Sequence, residues 1–136
     1  MKRFATIIFS IHSFFEVLFG MNNYIKGVSA SQSAEQIATQ TIEMTITFRF
    51  MGAALTALGI LGLFILFKAG VLSKTAKYVA MGFTVFHGLG TLGSLYTALP
   101  NFEIYSEPMA LGAVILHGIL AVSFTIIFAK TNKYIQ

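Results

Sequence analysis

Residues 44–67 read MTITFRFMGAALTALGILGLFILF, and Arg49 is the one ionisable side chain among them. As an α-helix this stretch is about 36 Å long, at about 1.5 Å per residue. That exceeds the hydrocarbon core of a bilayer, about 30 Å, which takes about 20 helical residues to cross. A strand does not suit it. The run lacks the alternation of a barrel strand, and an open sheet edge finds no partner in lipid. The stretch reads as a transmembrane helix.

Three further runs of similar character flank it. The first covers about 4–24 and carries His12 and Glu16; the others cover about 78–99, with His87, and about 109–129, with His117. Between the first two spans lies IKGVSASQSAEQIATQTIE, residues 25–43, small and polar, the only connection of any length. A short basic turn from Lys68 to Lys77 contains Gly70, and a short acidic turn runs from Pro100 to Pro108. Pro108 suits the first turn of a helix, where its missing N–H costs nothing. Short turns make sequential helices antiparallel. The expected fold is therefore an all-α integral membrane protein: four transmembrane helices in an up-down-up-down bundle, one domain over residues 1–136.

Composition agrees. Of 136 residues, 56% are hydrophobic and 10% charged, with mean hydropathy +0.78. Soluble domains carry about 25% charged residues, and a chain this short cannot hide so much apolar surface from water. A disulfide scaffold, a disordered tail and an ordinary cytosolic enzyme are excluded. With 0 Cys, thiolate catalysis, Cys-ligated zinc and iron–sulfur clusters are excluded too.

Charge sets the expected orientation. Lys2, Arg3, Lys68, Lys74, Lys77, Lys130 and Lys133 fall on one side of the four spans; Lys26, Glu35, Glu43, Glu103 and Glu107 fall on the other, with Arg49 just inside it. The positive-inside rule then places both termini in the cytoplasm, in a cell membrane of bacterial cytoplasmic type. The net charge of +4 is an insertion signal rather than a nucleic-acid footprint, because no basic patch is interleaved with exposed aromatics. Lys2-Arg3, the apolar run and Val28-Ser29-Ala30 loosely mimic a signal peptide, but Glu16 interrupts the run and Ala30 lies far past its end.

Five ionisable residues lie within the spans: His12, Glu16, Arg49, His87 and His117. Such residues are costly in lipid and face a partner or a cavity. Counted at about 1.5 Å per residue from the cytoplasmic end, His12 and His87 lie at about 12–13 Å, Glu16 and His117 at about 18 Å, and Arg49 at about 27 Å. His12 and Glu16 are i,i+4 and share a helix face. If the four deeper groups point inward they form a polar cluster suited to a small ligand or a proton relay. Each histidine has a plainer reading, a hydrogen bond to a backbone carbonyl or a hydroxyl across a helix interface. Arg49 is read as an interfacial anchor paired with Glu43 or headgroups, or else as the partner of Glu16. Three histidines and one carboxylate suffice for a metal ion, and His87 with His117 could face a haem iron, but no cofactor is called for. A di-iron carboxylate site would need several inward acids.

Gly88-Leu89-Gly90-Thr91-Leu92-Gly93 matches G-x-G-x-x-G but sits inside an apolar span, not between a strand and a helix. Together with Gly82 and Ser94 it reads as a surface for close helix contact, as do Gly52 with Thr56, Ala53 with Ala57, and Gly112 and Gly118. Each histidine follows an apolar residue and precedes a small one: Ile11-His12-Ser13, Phe86-His87-Gly88, Leu116-His117-Gly118.

Arg49-Phe50-Met51-Gly52-Ala53-Ala54 opening the second span, Phe86-His87 in the third and Ala113-Val114-Ile115-Leu116-His117 in the fourth resemble the DoxX-like group of small four-span bacterial membrane proteins, over residues 44–129. The resemblance implies the same span layout; some members resemble quinone-linked or oxidative-stress membrane subunits, for which no redox motif is present here. Glu16-Val17 also resembles the membrane carboxylate of small multidrug-resistance transporters, which exchange protons for cationic drugs as dimers. The long 25–43 loop, the absence of Trp and the three membrane histidines depart from that pattern. The expected function is a non-enzymatic ligand-binding or complex-forming membrane subunit, its partners the bilayer and a homo-oligomer or larger complex. A proton-coupled transporter centred on Glu16 and a His-ligated metal or haem protein are the alternatives.

Overall fold

The computed structural model describes residues 1–29, 32, 34–100, 102–106, 108–131 and 133. Ala30, of the signal-like pattern, and Glu107, of the acidic turn, lie outside the described residues. Of the described residues 89% are helical and none is in a strand. The elements are α1 (Lys2–Lys26), the short α2 (Ala34–Ala38), α3 (Ile42–Phe64) continued by a π-helical turn (Ile65–Ala69), α4 (Lys74–Ala98), a 3-10 turn (Phe102–Ser106) and α5 (Pro108–Thr131).

Among the described residues, three helices are long and apolar enough to cross a membrane: α1, α3 with its π-helical extension, and α5. α4 is as long as α1 but starts earlier than its apolar run, at Lys74 instead of residue 78. Ser73 explains the early start. Its hydroxyl accepts from Ala76 N at 3.0 Å, capping a helix that takes in Lys74 and Lys77. α3 likewise begins at Ile42, capped by Thr41, whose hydroxyl accepts from Met44 N at 3.2 Å. Gly70, at φ 84°, follows its π-helical turn. The 25–43 connection is also shorter than read from its composition. α1 runs on to Lys26, and Gly27 ends it at φ 68°. The Gln40 side-chain amide then donates to Gly27 O at 2.5 Å and to Thr45 Oγ1 at 2.7 Å, tying the loop back on itself.

The chain divides into two compact units, Met1–Ile8 with Phe67–Gln136, and Phe9–Leu66. In the first, α4 and α5 pack antiparallel: Phe83 meets Phe124 edge-on at 5.0 Å between ring centroids, and Lys77 Nζ lies 5.2 Å above the Phe128 ring. Ala76, Ala80, Phe83 and His87 on α4, and Leu120, Phe124, Ile127 and Thr131 on α5, are buried. Both sets step i, i+4, i+7, i+11, the stripe a 3.6-residue period lays along one face.

In the second unit α1 and α3 are held by glycine. The only buried residues of α3 are Gly52, Gly59 and Gly62, whereas Ile46, Phe50, Ile60 and Phe64 are exposed. A Cβ at Gly52 would meet Tyr24 N and stand 2.6 Å from Gly20 O; one at Gly20 would stand 2.6 Å from Thr56 N; one at Gly59 would stand 2.9 Å from Val17 N. The backbones touch because no side chain separates them. Glycine inside and aliphatic residues outside is the reverse of a water-soluble core and suits lipid, where burying apolar surface gains little and close backbone packing gains most. The hydroxyls follow the same logic. Thr56, Thr84, Thr91, Thr125 and Thr131 each return theirs to the carbonyl four residues back, at 2.6–3.0 Å, leaving no donor facing the apolar surroundings.

Candidate functional site

The unit built on α4 and α5 contains two of the predicted site residues. His87 is fully buried on α4, and His117 is half-buried on α5. Their Nδ1 atoms are 2.8 Å apart, hydrogen-bond distance. At that distance one ring donates Nδ1–H and the other accepts at Nδ1, so in the neutral pair the two imidazoles hold opposite tautomers. The surroundings fix both rings. Phe124 stacks parallel to His87, at 5.9 Å and 3°, and Phe86 stands edge-on to His87 at 5.0 Å and to His117 at 6.0 Å. Thr91 Oγ1 donates to the His87 carbonyl at 2.9 Å. Gly90 supplies the space: a Cβ there would lie 3.2 Å from His117 Nδ1.

Sequence reading singled out neither Phe124 nor Phe83 around this pair. The signal was present in the spacing, since Phe83 precedes His87 by four residues and Phe124 follows His117 by seven. The glycines divide differently from expectation. Gly90 faces the imidazole and Gly118 makes an ordinary contact with Thr91, but a Cβ at Gly82, Gly88, Gly93 or Gly112 would meet nothing within 4 Å. Within the chain, of the apparent G-x-G-x-x-G only Gly90 meets a neighbouring side chain.

In the other unit His12 and Glu16 are both buried. His12 Nε2 lies 3.4 Å from the Leu58 carbonyl of α3, and its Nδ1 lies 3.9 Å from Glu16 Oε1. The carbonyl can only accept, so Nε2 carries a proton. In the neutral ring Nδ1 is then a bare acceptor turned toward the carboxyl group. Gly62 makes the arrangement possible, since a Cβ there would press on Ser13 Oγ and stand 3.1 Å from His12 Cδ2. The plain reading of an intramembrane histidine, a bond to a backbone carbonyl, and the polar reading, a carboxylate neighbour, hold together at this ring.

Arg49 joins neither pair. It is exposed on α3 and, among the described residues, forms no ion pair with Glu43 or Glu16; its Nε would stand 3.4 Å from a Cβ at Gly27. It lies in the first third of α3, two turns after Ile42.

Chemically, His12 with Glu16 is an acid–imidazole couple, and His87 with His117 an imidazole–imidazole couple. Each can take up or release a proton along an existing contact. An iron ion held in line between the Nδ1 atoms of His87 and His117 would need them about 4 Å apart, twice a metal–imidazole bond of about 2 Å. The observed 2.8 Å does not fit haem ligation through these atoms. No family model, no curated protein and no solved structure matches the chain.

Proposed function

We propose that this chain is a four-span integral membrane protein, α1, α3, α4 and α5 crossing up-down-up-down in a bacterial cytoplasmic membrane with both termini cytoplasmic. In this reading it is a non-enzymatic ligand-binding or complex-forming subunit whose intramembrane polar pairs hold a small ligand or carry protons. The resemblance of residues 44–129 to the DoxX-like group belongs to the same reading. What carries it is the His87–His117 contact at 2.8 Å. It lies in a helix seam otherwise built mainly of Ala, Phe, Leu and Ile, and packing alone has no use for two imidazoles there.

The test is chemical. Protein purified in mild detergent and then denatured should release one small molecule in stoichiometric amount, or elute as a defined oligomer or complex by light scattering. The His87→Ala and His117→Ala variants should lose that molecule or partner. A monomer that releases nothing sinks the reading.

The His12–Glu16 pair supports a second reading, a proton-coupled transporter. It predicts a proton-dependent substrate flux in proteoliposomes that Glu16→Gln abolishes while the fold survives. If the carboxyl group is merely a buried polar group, Glu16→Gln is neutral or stabilising and no flux exists to lose.

A further inference from the structure

One end of the unit formed by Met1–Ile8 and Phe67–Gln136 carries lysines that no acid balances. Lys68 lies in the π-helical turn that ends α3, Lys74 and Lys77 open α4, Lys130 lies in the last turn of α5, and Lys133 lies just past it. The contact of Lys77 with Phe128 brings the start of α4 and the end of α5 together. A turn closed by Ser73 N on Gly70 O, at 3.1 Å, joins the segment of Lys68 to the helix that Lys74 opens. Residues 44–102 contain no Asp or Glu, nor do residues 108–136. The described acid of this unit, Glu103, lies in the connection at the far end of α4. At about 1.5 Å per residue that is about 30 Å away, well beyond a Debye length of about 8 Å. Among the described residues none of the five lysines forms an ion pair.

Helix electrostatics do not account for all of them. Lys130 and Lys68 suit helix C-terminal ends, but Lys74 and Lys77 stand in the first turn of α4, where the helix dipole disfavours a cation. Lys77 is further held in place, 5.4 Å above the Tyr78 ring and 5.2 Å above the Phe128 ring, as a cation is at a membrane interface lined with aromatics. Among the described residues these five cations have no acidic side chain beside them, which calls for an external counter-charge.

We propose that this lysine end is a binding surface for anionic phospholipid headgroups, a role that rests on the membrane reading and goes beyond insertion. The lysines hold phosphate-bearing lipids such as phosphatidylglycerol against the ends of α4 and α5, and Lys74, Lys77 and Lys130 form the centre of the surface. Detergent micelles have no inside and outside, so lipid binding measured there cannot come from the charge asymmetry that steers insertion.

The full chain in non-ionic detergent is titrated with phosphatidylglycerol and, separately, phosphatidylcholine, and retained lipid is read by native mass spectrometry. Phosphatidylglycerol should bind at least about tenfold more tightly, with a salt-sensitive affinity. Each Lys→Gln change at 74, 77 or 130 should weaken it about fivefold, and Lys→Arg at the same positions should retain it. Equal retention of the two lipids overturns the proposal, as does displacement by inorganic phosphate or by a poly-glutamate peptide at matching concentration. A chain that stays soluble without detergent rejects the membrane reading itself. One that needs detergent but does not discriminate between the lipids rejects the lipid surface alone.

Discussion

Replacing His117 by alanine removes a hydrogen-bonding neighbour of a fully buried imidazole, and the cost should show as stability. The Nδ1–Nδ1 contact is at hydrogen-bond distance, 2.8 Å, and removing one side of a buried hydrogen bond costs about 1–3 kcal/mol. His87→Ala and His117→Ala should each lower the thermal midpoint in detergent. The double variant should fall short of their sum by about 0.6–1.7 kcal/mol, the coupling found for hydrogen bonds between membrane helices. Strict additivity would mean that the rings do not share a proton. Gly90 acts on the same bond. Gly90→Ala should shift the His117 Nδ1 signal in 15N NMR, because the new Cβ would stand 3.2 Å from that atom. The three histidines and Glu16 were legible as candidates from residue type alone, since ionisable groups in an apolar run are rare enough to notice. The His12–Glu16 pair was legible too, from its i,i+4 spacing; the Nδ1 contact of His87 with His117 was not. Depth counting put His12 level with His87, and Glu16 level with His117, along the membrane normal. Within the units the close contacts are His12 with Glu16 and His87 with His117. Height says nothing about which face of a helix a residue occupies or which helix lies opposite.

At the level of the helix, the glycines separate into two kinds, and substitution should tell them apart. Gly52→Ala puts a methyl group against the backbone of Tyr24 and Gly20. Backbone cannot step aside cheaply, so the variant should lose about 1–3 kcal/mol, the usual cost of overpacking, as a lowered thermal midpoint. Gly82→Ala meets open space and should be neutral or gain up to about 1 kcal/mol from helix propensity. Equal effects would remove the close-packed α1–α3 interface from the account. Gly52 with Thr56 was readable as a small-xxx-small pair, but Gly20, Gly59 and Gly62 were not singled out. A glycine looks the same in sequence whether it meets a backbone or a lipid, and the face is settled only by the neighbouring helix. Helix ends were missed for a related reason. Thr41, Ser73 and Gly27 end or begin helices through hydrogen bonds and φ values, which hydropathy does not register.

For the whole molecule the deciding question is whether α4 crosses the membrane as α1, α3 and α5 are able to. Among the described residues it is the one long helix that does not count among those apolar enough to cross. The chain has 0 Cys, so single reporters are clean. Thr39→Cys, Thr75→Cys and Ser106→Cys all lie at exposed positions. In intact cells a membrane-impermeant maleimide should label positions 39 and 106 but not 75. Matching labels at 75 and 106 would place both ends of α4 on one side and end the four-span reading. The exposed Phe50, Phe67 and Tyr96, at 75%, 78% and 77%, put large apolar groups on the surface of both units, as expected of a molecule solvated by lipid.

Sequence alone determined that the chain is helical and apolar enough for a membrane, roughly where its long helices lie, and which few residues could do chemistry. Those conclusions depend on composition and on run length, both set by the solvent a segment has to satisfy. Tertiary structure alone decided that His87 meets His117 through Nδ1, that His12 turns one nitrogen to Leu58 and the other to Glu16, that Arg49 stands apart from the acids, and that Gly20, Gly52, Gly59 and Gly62 bring backbones together while Gly82, Gly88 and Gly93 do not. Each of these depends on the rotation of one helix against another. Where nearly every side chain is apolar, the hydrophobic pattern along a helix carries almost no record of that angle.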